Sequence, residues 1–453
     1  QHMVTFGISI GLKGTLDQPS DAQVVANGGP SLGGTAVNWP APAADSVNNI
    51  DDLLHAAVNG RGTFLSAGNP EEFAAGLKAA LAAIVERTGS FSNVAANSTS
   101  LDADTRVFQA RYVSGVWTGE LSSYPVVNNV VSTDSDWRAS EGIPASGRNV
   151  ITFDGTSGQV FPTEIQIAAL ARTSAPAVTG ELNAAYLTGA RNLELSRGGT
   201  LRNRNSLLGD IVSSSPAFAS ETGTVYVGAN DGMLHAIDAS NGEELFSYIP
   251  NIINWNWLSS LSRPDYGHRY FVDGPIVISS RKQTPDRNIL VATLGKGGKG
   301  LFALDVTNPD SFGGTDVLWE HGDTAGGNMG LVQGAPVIAK LPTAAGGSFT
   351  GVLVGNGVNS TNNRAVLLVY DLESGRLERE ISTGVGSATT PNGLSAPVGW
   401  DANGDGVVDT AYAGDMLGNV WKFDMSGSPS SWAATGIFTT VTGQPISRRI
   451  TVP

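Results

Sequence analysis

Cysteine does not occur in this chain, which excludes disulfide staples and thiolate metal sites while leaving the compartment open. Long apolar runs are missing too. None approaches the roughly 18–20 residues that a membrane-crossing helix requires, so no transmembrane segment is expected. Charge is sparse, at 15% of residues, and lopsided: 41 Asp and Glu against 27 Lys and Arg give a net charge of −14. Lys and Arg form no cluster along the sequence, and an acidic surface repels phosphate, so nucleic acid is not an expected partner. The five histidines, at 2, 55, 235, 268 and 321, are far apart and show no H-x-x-x-H pairing for zinc. No RGD tripeptide is present. No basic segment opens the chain, so any signal peptide is expected to be gone already.

What is present points to β structure. The 453 residues include 57 Gly and many short Val and Thr runs, which favours many short strands joined by tight turns. The length allows two or three domains, or one large β domain with an attached module. Residues 1–100 read differently, as α/β. NNIDDLLHAAVNG places apolar residues at 50, 53, 54, 57 and 58, a helical spacing. NPEEFAAGLKAALAAIVERTG predicts a second helix, with Asn69 as N-cap, Pro70 at the first helical position and Glu72 reaching back. Phe73, Leu77, Leu81, Ile84 and Val85 form its apolar face. The opening QHMVTFGISIG reads as a strand with nothing before it to pair with, so the chain is expected to be a fragment of a longer one.

From about residue 101 the period changes to two, as in TRVFQARYVSGVWTGELSSYPV. Residues 162–210 read as a partly helical excursion. A repeat then emerges. Pro216, Pro275, Pro336 and Pro397 each stand near the start of a strand, at intervals of 59, 61 and 61 residues. A second strand follows each (TVYVGAND, NILVATLGKG, GVLVGNGV, DTAYAGDM), and a third ends in Asp238, Asp305, Asp371 or Asp424. Fourth strands follow in EELFSYIP, DVLWEHG, RLEREIST and WAATGIFT. Four strands repeated at this period predict a β-propeller of four-stranded blades. QPISRRITVP reads as the opening of a further blade, and the propeller is either cut short or closed by strands from 101–160.

One turn of this repeat carries chemistry. DANGDGVVDTAY puts Asp401, Asn403, Asp405 and Asp409 at positions 1, 3, 5 and 9 of a calcium loop, with Gly406 at the sharp turn. Position 12, where an EF-hand has its bidentate glutamate, is Tyr412. Calcium accepts six to eight oxygens with loose geometry. Val407 can add a main-chain carbonyl, and water or a bidentate Asp409 can complete the shell. Three aspartates and an asparagine so close together repel one another unless a cation neutralises them. Calcium is therefore the expected ligand, structural or regulatory in role because one local segment supplies every donor. A bare Asn/Asp/Gly turn is the alternative.

Three other patterns carry less. GKGGKG matches G-x-G-x-x-G through Gly295, Gly297 and Gly300, but a strand and not a helix follows, so a glycine-rich blade turn is expected. His235 lies in a strand with buried neighbours and reads as structural. Trp255, Trp257, Tyr266 and Tyr270 lie between two blades, either as a partner-binding patch or as rings packed within a connection.

The blade GTVYVGANDGMLHAIDASNGEELFSYIP resembles those of quinoprotein-like propellers. Together with NNIDDLLHAAVNGRGTF, RYVSGVWTGEL, LGDIVSSSPAF and DANGDGVVDTAYAGDMLGNVWKFDMSG, it resembles the PilY family of type IV pilus assembly and adhesin proteins. These motifs run in order from residue 48 to 425. The resemblance implies that residues 1–100 are the closing part of a von Willebrand A-like domain and its junction. It implies a propeller over 101–453, usually of seven blades, with one calcium loop at Asp401, Asn403, Asp405, Val407 and Asp409. It further implies a non-enzymatic protein at the bacterial surface, at the pilus tip or outer membrane after export through the periplasm. There it would act with minor pilins and pilus machinery in assembly, retraction control, twitching motility and attachment, and meet a host-cell or surface receptor. The competing classes are a calcium- and PQQ-dependent dehydrogenase and a carbohydrate-binding propeller. The dehydrogenases draw calcium ligands from several blades, and many carry a vicinal Cys–Cys that this chain lacks.

Overall fold

The computed structural model describes residues 7–10, 14–16, 39–59, 64–67, 73, 89–96, 105–128, 130–323, 326–448 and 450. The chain divides into two units, Gln1–Gly89 and Ser90–Pro453. In the first, strand Gly7–Ile10 runs parallel to Phe64–Ala67, and helix Asn48–Asn59 lies between them in sequence, the kind of crossover that parallel pairing demands. Leu54 is buried against Leu16, Trp39 and Phe64. Leu53, expected on the same apolar face, is exposed. Asp51 is buried at the helix start and accepts from the Thr15 N–H (2.9 Å), the Thr15 hydroxyl (2.6 Å) and the Leu16 N–H (3.0 Å). The second expected helix, with Asn69, Pro70, Glu72, Leu77, Leu81, Ile84 and Val85, lies outside the described residues except for Phe73, which is helical.

The second unit is mainly β. First strands begin one residue after each repeat proline, at Ala217, Ile276, Val337 and Val398. Proline has no N–H to give to a ladder and suits the entry of a strand. Second strands are Thr224–Gly228, Ile289–Thr293, Ser348–Gly355 and Thr410–Gly414. Third strands end at Asp238, Asp305, Asp371 and Asp424, and fourth strands are Glu244–Ile249, Val317–Gly322, Leu377–Ser382 and Ala433–Thr439. Each set pairs antiparallel in sequence order, giving blades 1 to 4.

The closing aspartates have a common physical job. Asp238 accepts from the N–H and hydroxyl of Ser240, Asp305 from those of Thr307, Asp371 from those of Ser374 and Asp424 from those of Ser426. Each carboxylate thereby stands in for backbone acceptors in the turn between third and fourth strands. Two of these turns also receive a tryptophan from the preceding sheet. Trp137 donates its indole N–H to the Ala239 carbonyl (3.0 Å), and Trp319 to the Leu372 carbonyl (2.9 Å). Glycine makes room for the rings: a Cβ on Gly242 would lie 2.7 Å from Trp137, and one on Gly375 2.4 Å from Trp319.

Central strands are apolar on both faces, as strands covered on both sides must be. Leu290 and Ala292 pack in one core with Tyr226 and Phe246 of blade 1, whereas Ile289 and Val291 pack with Val352 and Val354 of blade 3. Blade 3 meets blade 4 through Leu353, Leu367 and Val369 against Ala411, Ala413 and Phe423. Each fully buried side chain of this kind contributes roughly 1.5–3 kcal/mol.

The upstream strands extend the array in two ways. Arg106–Val113 and Thr118–Val127 form a hairpin whose Phe108, Ala110 and Leu121 pack on Val225, Val227 and Ile237 of blade 1. Val150–Phe153 instead joins the outer edge of blade 1, parallel to Glu244–Ile249, and Gly158–Val160 adds a sixth strand. Helices Glu164–Leu170 and Gly180–Leu187 follow, the first opened by a Thr163–Gln166 capping box, and Leu170, Tyr186 and Leu187 pack against the core between blades 1 and 2. Residues 444–448, read as a new strand, form none; the Ile446 N–H donates to the Asp415 carbonyl (2.9 Å).

Blades 1 and 2 are also clamped by Glu320. It accepts the Tyr248 hydroxyl at 2.5 Å and the Asn251 N–H at 2.9 Å. Burial pushes its pKa up to about 7 despite these donors. The shift stabilises the fold fully below the ordinary value of 4.5 and is lost as pH rises from there through 7. Unfolding free energy should fall by about 2 kcal/mol across that window, allowing for partial solvent contact. Glu320→Gln should flatten this limb in urea titrations taken at successive pH values; an unchanged slope would remove Glu320 as its cause.

Candidate functional site

The loop 401–409 joins the first and second strands of blade 4, strand Val398–Trp400 entering and Thr410–Gly414 leaving. Its base is tied down: the Asp409 N–H donates to the Trp400 carbonyl (3.1 Å), the Met425 N–H to the Asp409 carbonyl (2.8 Å), and the Val408 N–H to the Lys340 carbonyl of blade 3 (2.9 Å). Its tip turns on Gly404 and Gly406, at φ +79° and +85°. A Cβ at either would meet nothing within 4 Å, so glycine is required there by backbone conformation and not by space.

The acidic side chains fold inward onto the loop's own amides. Asp401 accepts from the Gly404 N–H on one oxygen and the Gly406 N–H on the other, both at 2.7 Å. Asn403 accepts the Asp405 N–H (2.8 Å), Asp405 the Val407 N–H (2.8 Å) and Asp409 the Ala402 N–H (2.9 Å). The Gly406 N–H, with those of Gly404, Asp405 and Asn403, holds the Asp401 carboxyl below the usual carboxylate range. Asn403 and Asp405 are exposed at the tip, and Asp401, Val407 and Asp409 are half-buried.

The donor set fits a hard cation. Every side chain offers oxygen, and an oxygen holding one N–H keeps a lone pair for a metal. Among the described residues, however, no three His, Cys, Asp or Glu side chains are gathered closely enough to hold a metal ion. The loop thus brings its five predicted ligands into one turn without converging its three aspartates.

Other sequence patterns resolve as structure. A strand, Gly300–Asp305, follows GKGGKG, so no helix N-terminus is there for a dinucleotide. Asp424–Ser428 spells D-x-S-x-S, but Asp424 serves as the closing aspartate of blade 4. Gly29–Gly33 spells G-x-S-x-G and lies outside the described residues. Trp255 and Tyr266 pack against the core of blades 1 and 2, Tyr270 is half-buried and Trp257 stays exposed.

Sequence reasoning missed one buried ionic network. His235 is fully buried and lies 2.7 Å from Glu244 through Nδ1 and 3.1 Å from Asp231 through Nε2. Arg148 holds Glu244 through two contacts at 2.6 and 2.7 Å. The spacing Asp231-x-x-x-His235 was visible, but Arg148 arrives from the segment just before strand Val150–Phe153, 96 residues from Glu244.

Sheets hydrogen-bonded in sequence order and packed face to face define a β-propeller architecture. The chain belongs to the PilY1 propeller family: the family described as PilY1 beta-propeller domain matches residues 208–437. Type IV pilus biogenesis factor PilY1 of Pseudomonas aeruginosa strain PAK is 34% identical over 94% of this chain and 40% of its own length. A PilY1 homolog from Xylella fastidiosa is 35% identical over 85% of this chain and 33% of its own. The crystal structure of the Pseudomonas aeruginosa PilY1 C-terminal domain is 35% identical, covers 49% of this chain and 45% of that one, and has a TM-score of 0.37. The chain therefore spans about 40% of the length of the first of these relatives. No described helix is long and apolar enough to cross a membrane.

Proposed function

We propose that this chain is the calcium-binding, non-enzymatic propeller portion of a type IV pilus biogenesis and adhesion factor. In this reading it works at the bacterial surface, at or near the pilus tip, after export through the periplasm. Its partners are minor pilins, other pilus machinery and a surface or host-cell receptor. The observation that carries the reading is the loop 401–409, whose amides hold four oxygen-bearing side chains, in a chain whose curated relatives are named type IV pilus biogenesis factors.

Asp401, Asn403, Asp405, Asp409 and the Val407 carbonyl would hold the ion. Calcium supplies positive charge that relieves the repulsion among the carboxylates. Asp401 follows one strand and Asp409 precedes the next, so a cation shared by them ties the two strands at the loop's mouth. Through the Val408 N–H on the Lys340 carbonyl, that tie reaches the edge of blade 3. Calcium then stabilises one arrangement of this edge by about RT ln(1 + [Ca]/Kd), a route by which external calcium controls partner binding.

Isothermal calorimetry tests the site. The chain should take up one calcium, and Asp405→Ala should weaken it at least about tenfold. Equal binding by both proteins would remove the loop from the mechanism. Co-purification with pilin subunits, with and without chelator, tests the partner assignment separately.

A further inference from the structure

The connection between blades 1 and 2 gathers positive charge that the sequence scatters. Arg202 lies over the ring of Tyr266 at 4.8 Å, Arg269 over Trp257 at 5.3 Å and Lys296 over Tyr270 at 5.1 Å. His268, one residue before Arg269, stacks on Trp117 at 4.0 Å and meets Tyr270 edge-on at 4.8 Å. The Arg269 N–H donates to the Tyr266 hydroxyl at 2.9 Å, which makes the two halves one surface.

Three features set this surface apart in a chain of net charge −14. Among the described residues, Arg202, Arg269 and Lys296 form no ion pair with a carboxylate; Lys296 feels only the buried Asp273 at a distance, and the Arg202 Nε is buried without an acceptor. The single acid within 252–271 is Asp265, already chelated by Arg263 at 2.8 and 2.9 Å, while Asp210, which holds His268 at 2.7 Å, is buried. Trp117 sits at φ +54°, a conformation costly for a bulky residue and one that marks sites where geometry matters.

Glycines build the Lys296 side. Gly295 is at φ +57°, and a Cβ on Gly297 would lie 1.8 Å from the Phe271 carbonyl oxygen. Only glycine allows this turn to approach residues 271–274 so closely, and the approach sets exposed Lys296 beside Tyr270. The GKGGKG segment thus positions a cation without forming a phosphate cradle.

We propose that this cation–aromatic platform binds an acidic polysaccharide, a chain of uronate-type rings. A guanidinium lying over a ring has in-plane N–H donors suited to two-pronged carboxylate contacts, and exposed Arg269, unlike Arg202 with its buried Nε, is the one placed to present them. Each cation covers one face of its ring, so the exposed part of Trp257 is the flat apolar surface left for the C–H face of a sugar. An extended polymer with a charge on every ring matches cations spread over several loops, which one small anion cannot span. The site lies outside the calcium loop, and the proposal does not rest on the pilus reading.

Binding of oligogalacturonate to the full chain by calorimetry, in chelator, tests it, with uncharged oligogalactose and oligoglutamate as comparison ligands. Oligogalacturonate should bind, oligogalactose should not, and oligoglutamate should bind at least about fivefold more weakly. Arg269→Ala and Lys296→Ala, both at exposed positions, should each weaken oligogalacturonate about fivefold or more with unchanged circular dichroism, whereas Lys422→Ala on blade 4 should not. Absence of oligogalacturonate binding, wild-type affinity in both platform variants, or equal binding of oligoglutamate would overturn the proposal, the last by reducing the surface to an acceptor of acidic peptide.

Discussion

Glu244→Ala should lower the unfolding free energy by about 3–5 kcal/mol, because it strips the shared partner from two buried cations. Glu244 is held by Arg148 on one side and His235 on the other, with its side chain 1% exposed. Burial opposes its charge, but His235 and Arg148 outweigh burial and bring its pKa down to about 2. Burial likewise opposes charge on His235, and Asp231 with Glu244 overcome it, raising the imidazole to about 9. The signs define a window. The contribution of Glu244 is present above its ordinary 4.5 and lost as pH falls toward 2, and that of His235 is present below 6.5 and lost as pH rises through 9. Both are whole only between about 4.5 and 6.5, where Glu320 also still favours folding over part of the range. Urea midpoints from pH 3 to 9 should therefore trace a dome on the acidic side of neutrality, and Glu244→Ala should lower it and flatten both limbs. A loss below about 1 kcal/mol at pH 6 would mean the network is replaceable packing.

How far the sequence disclosed all this depends on range. The blades were legible because their signals are local and recur: a proline at each first strand, a double-sided apolar second strand, and an aspartate whose side chain closes the next turn. Asp238, Asp305, Asp371 and Asp424 end third strands as expected, and the Ser or Thr two or three residues later explains why aspartate is the residue chosen. The loop 401–409 was legible as a turn for the same reason, since its Asp, Asn and Gly residues fall within nine positions between two strands. Strand Val150–Phe153 was not. Its parallel pairing to Glu244–Ile249 crosses a helical excursion, and no local period encodes that partner. The cationic platform escaped in part because Arg202, Arg269 and Lys296 stand far apart in the chain; the aromatic half was visible, but only folding brings the cations onto it. Leu53 shows the opposite error: its spacing fitted the apolar face of the helix, yet it lies exposed.

Asp415 offers a second large effect, at the opposite end of the strand that leaves the loop 401–409. Strand Thr410–Gly414 runs directly from Asp409 to Asp415. Asp415 is fully buried and accepts five hydrogen bonds: from the Leu417 and Asn419 N–H groups at 2.9 Å, from the side-chain amides of Asn392 (2.9 Å) and Asn419 (2.8 Å), and from the Trp421 indole at 2.9 Å. It therefore ties the second and third strands of blade 4 to the incoming connection from blade 3. Asp415→Ala leaves all five donors without that acceptor and should cost about 3–4 kcal/mol. Asp415→Asn keeps the shape but turns an amide N–H₂ toward some of the donors, and should cost about 2 kcal/mol. The two ends of this strand should separate in function. Asp415→Asn should shift the urea midpoint while leaving calcium affinity within about twofold, because the loop keeps its own anchors at Trp400, Met425 and Lys340. Asp405→Ala, at an exposed tip, should do the reverse. If Asp415→Asn weakened calcium as much as Asp405→Ala does, the loop's geometry would depend on blade packing rather than on its own amides, and the ion would report the state of the whole blade.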